Sequence, residues 1–450
     1  MTKTYKICKG LDIRLKGEAE KDIKTFISPN RYIIIPDNFT GITPKLKIKE
    51  GDSVKRGETL FFDKNKPEIV AVSPVCGSVT NINRGEKRKI KEIIITPAQN
   101  DEVVKYDLSS FSIDSKDAII DLLLSTGVWN YIKQRPYGII ASPQDTPRDI
   151  FISFFDSSPL AADFDFILKD KKDDINIALK ALSKLVGTKI YLNFKKETTT
   201  VDLIENRDKY NINYFEGKYP AGLVGTQINK IKPVNKGEII WTINAVDLPI
   251  IGHAIRTGEF FPERLIALAG SEIKNTGYFK ILSGADISSI ITNNTNSDNY
   301  RIISGNVLTG ENISENPALG YYDTMLTVIP EGNKYEMFGW ALPGLHKFSN
   351  SRTFLSLLFS KKRFEINTNY HGGKRAFVVT GEYEKVCPLD IYPQLLVKAA
   401  ITEDIDKMEE LGIYEVIEED VALWEFVCTS KIEVQTIIRN GLKLIRKEMS

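Results

Sequence analysis

Hydrophobic positions in this chain follow two different periods, and the change of period divides the sequence into segments. Between residues 30 and 100 the apolar residues form short β-branched runs, each broken by Gly, Pro or Asn. This pattern predicts an all-β unit, with strands near 32–35, 45–48, 69–72, 78–82 and 92–95. Glycines occur at corresponding places in its two halves, which predicts two similar halves of one small barrel.

Residues 106–258 alternate between the two periods. Apolar residues recur at spacings of three and four near 117–125, 175–185 and 247–256, which predicts helices. Continuous apolar runs near 148–155, 189–194 and 237–243 predict strands. This alternation predicts an α/β layer fold.

The last two segments differ from each other. Residues 259–330 return to strand-like runs, with a turn at 275–277 and a short helix near Ala285. Residues 331–372 read as irregular except for one amphipathic helix near 352–360, and helices are predicted near 390–400, 402–411 and 433–447. We expect an α/β multi-domain protein with units at 1–105, 106–258, 259–330 and 331–450.

Composition narrows the functional classes. A chain of 450 residues with 60 basic and 59 acidic side chains has a formal net charge of +1, so no global field favours nucleic acid. No apolar run reaches the length of a spanning helix, and the first residues do not resemble a signal peptide. Four cysteines and three scattered histidines predict a reducing compartment and no zinc site.

The β-rich segment carries a family resemblance. GDSVKRGETL and SPVCGSV are similar to the biotinyl/lipoyl barrel-sandwich family, in which a modified lysine stands on an exposed hairpin. Lys66 lies eight residues before Pro74, but its neighbours Asn65 and Pro67 do not match the motifs that ligases read. We favour a plain barrel with a solvated lysine over a carrier lysine. Residues 259–330 in turn resemble the soluble-ligand-binding β-grasp (SLBB) family.

Two cysteines near the C-terminus end runs that have lost their other cysteines. Cluster-binding segments use C-x2-C-x2-C-x3-C-P because each iron needs a thiolate. Only Cys387 and Cys428 remain, and the other positions hold Phe377, Thr380, Tyr383, Glu418, Val421 and Trp424. The stretch around Cys428 resembles the second cluster segment of the C subunit of the Rnf electron-transport complex. We therefore expect a ferredoxin-like helical domain without clusters, in which both cysteines are ordinary buried residues.

A second site is altered in the α/β segment. In the same Rnf subunit and in the flavin-binding subunit of complex I, a glycine-rich loop after a helix approaches FMN and NADH. The similar stretch TGVWNYIKQRPYG keeps Gly127 but places Tyr131, Arg135 and Pro136 where glycines would stand. We expect neither FMN nor NADH to bind there.

Short motifs along nearly the whole chain resemble one family, the A subunit of the Na+-translocating NADH:quinone oxidoreductase. They include KGLDIRLKG, FFDSSPLA, KYPAGLVGTQINKI, RIISGNVLTG and VCPLDIYPQLL. Both histidines of the family's HPAGLxGTHI hallmark are replaced, by Tyr219 and Gln227. Chemistry assigned to those imidazoles is therefore in doubt here.

The resemblance implies a peripheral subunit on the cytoplasmic face of the bacterial inner membrane, docked chiefly on a membrane subunit. The complex oxidises NADH, reduces a quinone such as ubiquinone and exports Na+. FMN, FAD and the 2Fe-2S centre would lie in partner subunits, and this chain would hold no cofactor except, at most, quinone. The alternative is a soluble SLBB-type module that binds a ligand or partner without a redox role. The order of the motifs along the chain favours the role of a complex subunit over that of a soluble module.

A quinone needs a flat apolar slot with hydrogen-bond donors. The altered loop offers Trp129, Arg135 and Tyr137 as candidate quinone contacts, with Tyr131 beside them. The alternative, which we favour, is that Trp129 and Tyr137 are packing residues and that Arg135 is a solvated or interface charge.

Two further patterns are weaker. In PAGLVGT we favour a tight turn at Gly222 and Gly225 over a phosphate cradle, because 227–231 followed by Pro233 is a poor helix start. A basic docking face is conceivable from Arg256, Lys361, Lys362, Arg363, Lys374 and Arg375, although charge runs are usually solvated surfaces.

Overall fold

A computed structural model describes residues 3–26, 28–333, 336–339, 341–351, 353–359 and 361–449, without the side chain of Leu357. We name its parts the barrel unit (30–98), the α/β unit (106–258), the β-grasp unit (259–330) and the helical unit (382–449).

Two strands precede the barrel unit in sequence but pair elsewhere. β1 (Lys3–Ile7) pairs in parallel with a strand at 211–217 of the α/β unit. β2 (Ile23–Lys24) pairs in parallel with a strand at 277–282 of the β-grasp unit. The four predicted domain boundaries stay a prediction, and these pairings show that the segment before residue 30 is shared between two later units.

The barrel unit is all-β, as its sequence pattern predicts. Its strands form a four-stranded sheet, β3-β9-β8-β5, and a three-stranded sheet, β4-β6-β7. Buried side chains of both sheets, such as Phe61, Val79 and Ile93, form the core between them. The strands are β3 (Tyr32–Ile34), β4 (Pro44–Leu46), β5 (Ser53–Val54), β6 (Thr59–Asp63), β7 (Val70–Val72), β8 (Gly77–Arg84) and β9 (Ile90–Pro97). Lys66 lies half-buried in the turn between β6 and β7.

The α/β unit is built around a seven-stranded sheet of order β1-β14-β13-β12-β15-β10-β11. The first five strands are parallel, and β10 and β11 complete one edge in antiparallel fashion. The elements are α1 (Lys116–Ser125), β10 (Lys133–Arg135), β11 (Ile139–Ile140), β12 (Asp149–Ser153), α2 (Phe164–Leu168), α3 (Lys172–Val186), β13 (Lys189–Lys195), β14 (Asn211–Gly217), α4 (Val224–Ile231), β15 (Ile240–Asn244) and α5 (Leu248–Thr257).

Local sequence explains the main elements of this unit. The side chain of Ser115 caps α1 by accepting a hydrogen bond from the Ala118 N–H. α3 buries Ile175, Leu179 and Leu182 on one face and ends at Gly187, which takes the left-handed conformation that favours glycine. All five residues of β12 are buried, as expected of a central parallel strand covered on both faces. The strands and helices predicted near these positions are confirmed.

The β-grasp unit contributes a six-stranded sheet of order β19-β18-β20-β16-β17-β2. The hairpin connection runs over 270–276, with turn residues at 271–272 and a bend at 274–275. The turn predicted at 275–277 is therefore placed too late, because Gly277 already begins a strand, whereas the predicted short helix is confirmed. The elements are β16 (Glu263–Ala269), β17 (Gly277–Leu282), α6 (Ser288–Ile291), β18 (Tyr300–Ser304), β19 (Glu311–Asn312) and β20 (Met325–Pro330).

The helix predicted near 352–360 is wrong. Its end residues, Arg352 and Ser360, lie outside the described residues, and between them only a 3-10 turn, Leu355–Leu358, forms. The physical reason is exposure, since Leu355, Leu358 and Phe359 face solvent. A short helix gains most of its stability from packing one apolar face, and these three described side chains do not pack in that way.

The helical unit has its own core, separate from the large core of the other units. Buried residues such as Leu396, Trp424 and Leu442 pack its helices together, and the three helices predicted here are confirmed. Its ferredoxin-like character stays a prediction. The helices are α7 (Glu382–Val386), α8 (Pro393–Ile401), α9 (Ile405–Glu410), α10 (Ala422–Val427) and α11 (Val434–Met449). Within the described part of the chain, none of the helices combines the length and apolarity needed to cross a bilayer.

Candidate functional site

The loop after α1 is closely packed. Gly127 has a φ of 73°, and a Cβ at this position would lie 2.8 Å from a methyl group of Val72. Trp129 follows in a 3-10 turn and is only 1% exposed. Its Nε1 donates to the Ala141 carbonyl at 2.8 Å, and its ring meets that of Trp241 edge-on at 5.5 Å. Trp129 therefore packs inside the large core.

Arg135 joins two units of the protein. It lies on β10, 2% exposed, and its guanidinium contacts Asp420 at 2.5 Å and Glu419 at 2.9 Å. Both carboxylates belong to a 3-10 turn, Glu418–Val421, of the helical unit. The Asp420 side chain is 1% exposed, so this ion pair is buried and fixes the helical unit against the seven-stranded sheet.

Tyr137 contacts the helical unit as well. Its ring packs against the core of that unit, and its carbonyl accepts a hydrogen bond from Arg439 Nη1 at 2.7 Å. Arg439 also pairs with Glu418. Partial burial raises the pKa of the Tyr137 hydroxyl. Trp129 and Tyr137 thus belong to different cores, and quinone contact with Trp129, Arg135 and Tyr137 stays a prediction.

The PAGLVGT stretch forms a turn followed directly by a helix, α4. The judgement that 227–231 starts no helix is wrong, because α4 begins at Val224 and Pro233 comes only after its end. In the turn, the Gly222 N–H donates to Ser157 Oγ at 2.8 Å. Tyr219, which replaces the first hallmark histidine, is buried and donates to the Glu419 carbonyl at 3.3 Å.

Gln227, which replaces the second hallmark histidine, is the centre of a buried hydrogen-bond network. Its Nε2 donates to Ser153 Oγ at 2.9 Å, and its Oε1 accepts from Asn193 Nδ2 at 3.0 Å. Asn193 Oδ1 accepts in turn from Asn213 Nδ2 at 3.1 Å. Ser153 is the last residue of β12, and Asn193 lies on β13. In open α/β sheets ligands bind beyond the carboxyl ends of strands, and here those polar groups satisfy one another.

An acidic side chain faces the first turn of α4. A Cβ on Gly225 would overlap the carboxylate of Asp420, so that carboxylate lies against the start of the helix. Helix N-termini attract anions through their free N–H groups and dipole. Because the chain supplies its own anion here, a phosphate of FMN or NADH would meet a buried carboxylate. With the closely packed loop at Trp129, these residues do not fit a flavin or dinucleotide.

Aromatic rings occupy the region of the two remaining C-terminal cysteines. Cys387 and Cys428 are both buried, and burial raises the pKa of the Cys387 thiol to about 12. Tyr383 and Trp424, at two of the lost thiolate positions, stack with ring centroids 6.0 Å apart, and Phe377 lies 5.9 Å from Tyr383. Among the described residues no group of three or more His, Cys, Asp or Glu side chains could hold a metal ion.

The structure also shows a buried polar cluster that the sequence analysis did not find. We call it the tyrosine cluster: Phe39, Tyr131, Lys133, Asp247, Arg264, Tyr321 and Tyr322. Tyr131 and Tyr321 stack at 5.9 Å, and Lys133 Nζ lies 3.8 Å from the centre of the Tyr322 ring. The Lys133 ammonium, the Arg264 Nη1 and the hydroxyls of Tyr131 and Tyr321 are buried without a well-aligned partner among the described residues.

Charge in the tyrosine cluster is unbalanced. Arg264 Nη2 donates to Asp247 at 2.6 Å, which leaves the Lys133 amine with only the more distant attraction of that carboxylate. Burial lowers the pKa of Lys133 to about 7, and Asp247 offsets part of this effect. In the sequence, the only indication of this cluster is that Tyr131 and Lys133 are two positions apart. Their partners come from distant parts of the chain, which no local pattern reveals.

Comparison with known proteins agrees with this architecture. Residues 5–98 match the family model described as the NqrA N-terminal barrel-sandwich hybrid domain, and residues 114–260 match the NqrA second alpha/beta domain. Residues 265–315 match an SLBB model described as the NQRA C-terminal domain. These matches confirm the predicted barrel-sandwich, α/β and SLBB parts of the fold.

Two relatives extend the similarity to nearly the whole chain. The A subunit of the Na(+)-translocating NADH-quinone reductase of Haemophilus influenzae (strain PittGG) is 37% identical over 445 residues, which cover 98% of this chain and 99% of the relative. The corresponding protein of Neisseria meningitidis serogroup B is 36% identical over 446 residues, with the same coverage. A solved NAD+-reducing [NiFe]-hydrogenase is 12% identical with a TM-score of 0.39, over 74% of this chain and 62% of that one.

Proposed function

The chain belongs to the NqrA family, the A subunits of the Na+-translocating NADH-quinone reductases, and from this premise we propose its role within such a complex. It is a peripheral subunit that lies on the cytoplasmic face of the bacterial inner membrane and docks chiefly on a membrane subunit. FMN, FAD and the 2Fe-2S centre lie in its partners, and the chain itself performs no redox step. Its contribution is to support quinone reduction coupled to Na+ export.

The observation that carries this proposal is the way side chains fill both regions that resemble cofactor sites. Gln227 and its partners occupy the carboxyl ends of the central strands, and Asp420 lies against the first turn of α4. Tyr383 and Trp424 stack in the helical unit where thiolates would stand. Each region is filled by buried side chains of this chain, and Asp420 also joins the helical unit to the α/β unit through Arg135.

Pull-down from gently solubilised host membranes tests this role. We expect the tagged chain to recover flavin-bearing membrane subunits together with Na+-stimulated NADH:quinone reductase activity. Recovery of the chain alone, from the soluble fraction, would contradict the proposal and favour an SLBB module with a separate ligand. Arg14→Gln, a change in an exposed ion pair, is a control variant that should assemble normally.

For the part that meets quinone, the tyrosine cluster offers the chemistry that a quinone needs. Rings of Phe39, Tyr131 and Tyr321 provide flat apolar surface, and Lys133 and Arg264 provide buried donors that are not fully used. Quinone carbonyls accept hydrogen bonds, and a small set of donors in an apolar site is the usual arrangement of ligand pockets. We place the quinone-facing part of this subunit at the tyrosine cluster.

Trp129, Arg135 and Tyr137 form a second candidate. Both candidates are buried, so a quinone could reach either only if side chains move. Trp129 and Arg135 already have polar partners of their own, and contact there would also require the helical unit to move away from Arg135. Quinone titration of the assembled complex separates the candidates. Lys133→Met should raise the KM for quinone several-fold with a smaller change in kcat if the tyrosine cluster contributes. An unchanged KM in Lys133→Met, with a raised KM in Trp129→Phe or Tyr137→Phe, would favour the second candidate.

A further inference from the structure

Exposed apolar side chains are concentrated in one irregular segment of the chain. Within residues 337–359, seven large hydrophobic side chains of the described residues face solvent: Met337, Phe338, Leu342, Leu345, Leu355, Leu358 and Phe359. Met337 is 85% exposed and Leu358 78%. Single exposed hydrophobic residues are normal, but seven of them within one short segment indicate an interaction site. We call residues 336–363 the apolar loop.

The apolar loop is held in shape by its own contacts. The Leu355 N–H donates to the Pro343 carbonyl at 3.0 Å, and Ser356 Oγ donates to the Lys347 carbonyl at 2.5 Å. Lys362 Nζ donates to the Leu345 carbonyl at 2.6 Å. These bonds bring the two ends of the loop together while leaving its apolar side chains outside.

The base of the loop is attached to the rest of the protein. Phe348 packs against Phe364 at 5.6 Å and Phe426 at 6.1 Å, which fixes the loop to the helical unit. The Phe364 N–H donates to the Arg14 carbonyl at 2.7 Å. The exposed apolar side chains therefore project from a fixed base, as an anchoring surface would.

The charge beside these side chains is positive. Arg363 pairs with Glu18 and Lys347 with Glu336, but Lys361 and Lys362 have no carboxylate partner within the described part of the chain. Together with Leu358 and Phe359, these two lysines line an open depression of about 460 Å³. The surface thus combines apolar side chains with two cations that lack a counter-charge.

We propose that the apolar loop docks on the anionic lipid surface beside the membrane partner, with Leu358 and Phe359 entering the headgroup region and Lys361 and Lys362 on lipid phosphates. Apolar side chains flanked by lysines are the combination that binds interfaces. Charge complementarity favours lipid over a protein partner, because cytoplasmic loops of membrane proteins carry an excess of Lys and Arg. This inference rests on the proposed function only in placing the chain at a membrane.

Vesicle flotation of the purified full-length chain tests the proposal. We expect binding to vesicles that contain roughly one-third phosphatidylglycerol, weak binding to pure phosphatidylcholine, and release by high salt. Lys361→Gln/Lys362→Gln should weaken binding by about 25-fold, because each lysine near an anionic surface contributes about five-fold. Leu358→Ser/Phe359→Ser should reduce binding to both kinds of vesicle.

A matched control removes two exposed lysines elsewhere. Lys87→Gln/Lys91→Gln, on the β8–β9 hairpin of the barrel unit, changes the net charge equally and should bind as the unmodified chain does. Equal binding to neutral and anionic vesicles, or equal loss in the control, would overturn the lipid proposal.

The two proposals fail separately. If the chain does not bind vesicles but still recovers active membrane subunits in the pull-down, the lipid proposal fails and the function stands. If Leu358→Ser/Phe359→Ser abolishes that recovery while the unmodified chain ignores vesicles, the loop contacts a membrane subunit instead, which also overturns the lipid proposal. Vesicle binding without recovery of partners would support the lipid surface and contradict the proposed function.

Discussion

Arg135 and Asp420 lie 285 positions apart in the chain and form a buried ion pair of 2.5 Å between the α/β unit and the helical unit. The two residues of the pair each occupy a place that a bound cofactor would need. Arg135 fills the loop that resembles a flavin site, and Asp420 supplies the anion at the start of α4. One contact therefore fills both places and joins the α/β unit to the helical unit.

Removing Arg135 should loosen the helical unit selectively. Arg135→Met leaves the Asp420 carboxylate buried without its partner, which costs about 3–5 kcal/mol. Hydrogen exchange should show faster exchange of amides in α10 and α11, with the barrel unit unchanged. Arg14→Met, in an exposed pair with Asp12, should cost less than about 1 kcal/mol. Equal effects of the two variants would show that the buried pair does not hold the units together.

Substitutions at Gln227 should depend on hydrogen-bonding capacity. Gln227→Leu leaves Asn193 and Ser153 without their central partner, and we expect a loss of about 2 kcal/mol in stability to urea. A neutral imidazole can donate from one nitrogen and accept at the other. Gln227→His, which restores the family's hallmark residue, should therefore cost about 1 kcal/mol or less. A His variant as unstable as the Leu variant would contradict this role of the network.

Lys133 should make stability depend on pH in the alkaline range. Burial lowers its pKa to about 7, so the folded chain releases this proton well below the pH at which the unfolded chain does. Stability then rises as pH increases from about 7 towards 10 and has no contribution from this group's titration below 7.

Lys133→Met should therefore be more stable than the unmodified chain at pH 7, by about 1–4 kcal/mol, and this difference should shrink as the pH approaches 10. Unfolding in urea at several pH values measures it. Lys45→Met is a matched control, because Lys45 lies 5.6 Å from the Phe62 ring but is exposed. A difference for Lys133→Met that stays constant with pH would show that the amine is charged throughout.

The four cysteines should differ in reactivity. Cys8 is exposed and Cys76 partly so, whereas Cys387 and Cys428 are buried. Because the thiolate is the reactive form, and burial raises the pKa of Cys387 to about 12, a maleimide at neutral pH should label Cys8 first. Mass spectrometry should find Cys387 and Cys428 labelled only after unfolding. Rapid labelling of either in the native chain would show that the helical unit opens.

The turn before α4 should reject any side chain. A Cβ on Gly222 would lie 2.6 Å from the backbone nitrogen of Ser157, so Gly222→Ala forces the turn and the Phe154–Ser158 stretch apart. We expect a loss of about 2 kcal/mol or more, measured by thermal unfolding. Gly373→Ala should be nearly neutral, since nothing lies within 4 Å of a Cβ there. Equal melting temperatures for the two variants would contradict the close packing.

A helix could be predicted from the sequence where an apolar period and a capping side chain occur together. α1 has both an apolar period and Ser115 as its cap, and the predicted helix differs from the observed one by a single residue at its start. α4 was missed because no side chain caps it, as Leu223 stands at that position. Pro233 misled the prediction, although it follows the helix end, where proline is common.

The candidate site was harder to predict because its contacts are distant in sequence. Arg135 has its partners in the helical unit, and Lys133, two residues earlier, meets Tyr322 of the β-grasp unit. A loop sequence shows which side chains are present, but it does not show which hydrophobic core each side chain packs into. The helix predicted at 352–360 failed for the converse reason, since its apolar spacing was real but Leu355, Leu358 and Phe359 face solvent instead of a core.

Because β1 pairs with β14, the seven-stranded sheet can be completed only late in translation. Lys3–Ile7 leaves the exit tunnel early, but its hydrogen-bonding partner, Asn211–Gly217, is translated roughly 200 residues later. At bacterial rates of about 5–20 residues per second, that strand waits for some 10–40 seconds. During this interval the barrel unit can fold, while an unpaired β-strand remains open to other chains. Nascent-chain chaperones that cover such a strand would be needed most before residue 217 emerges.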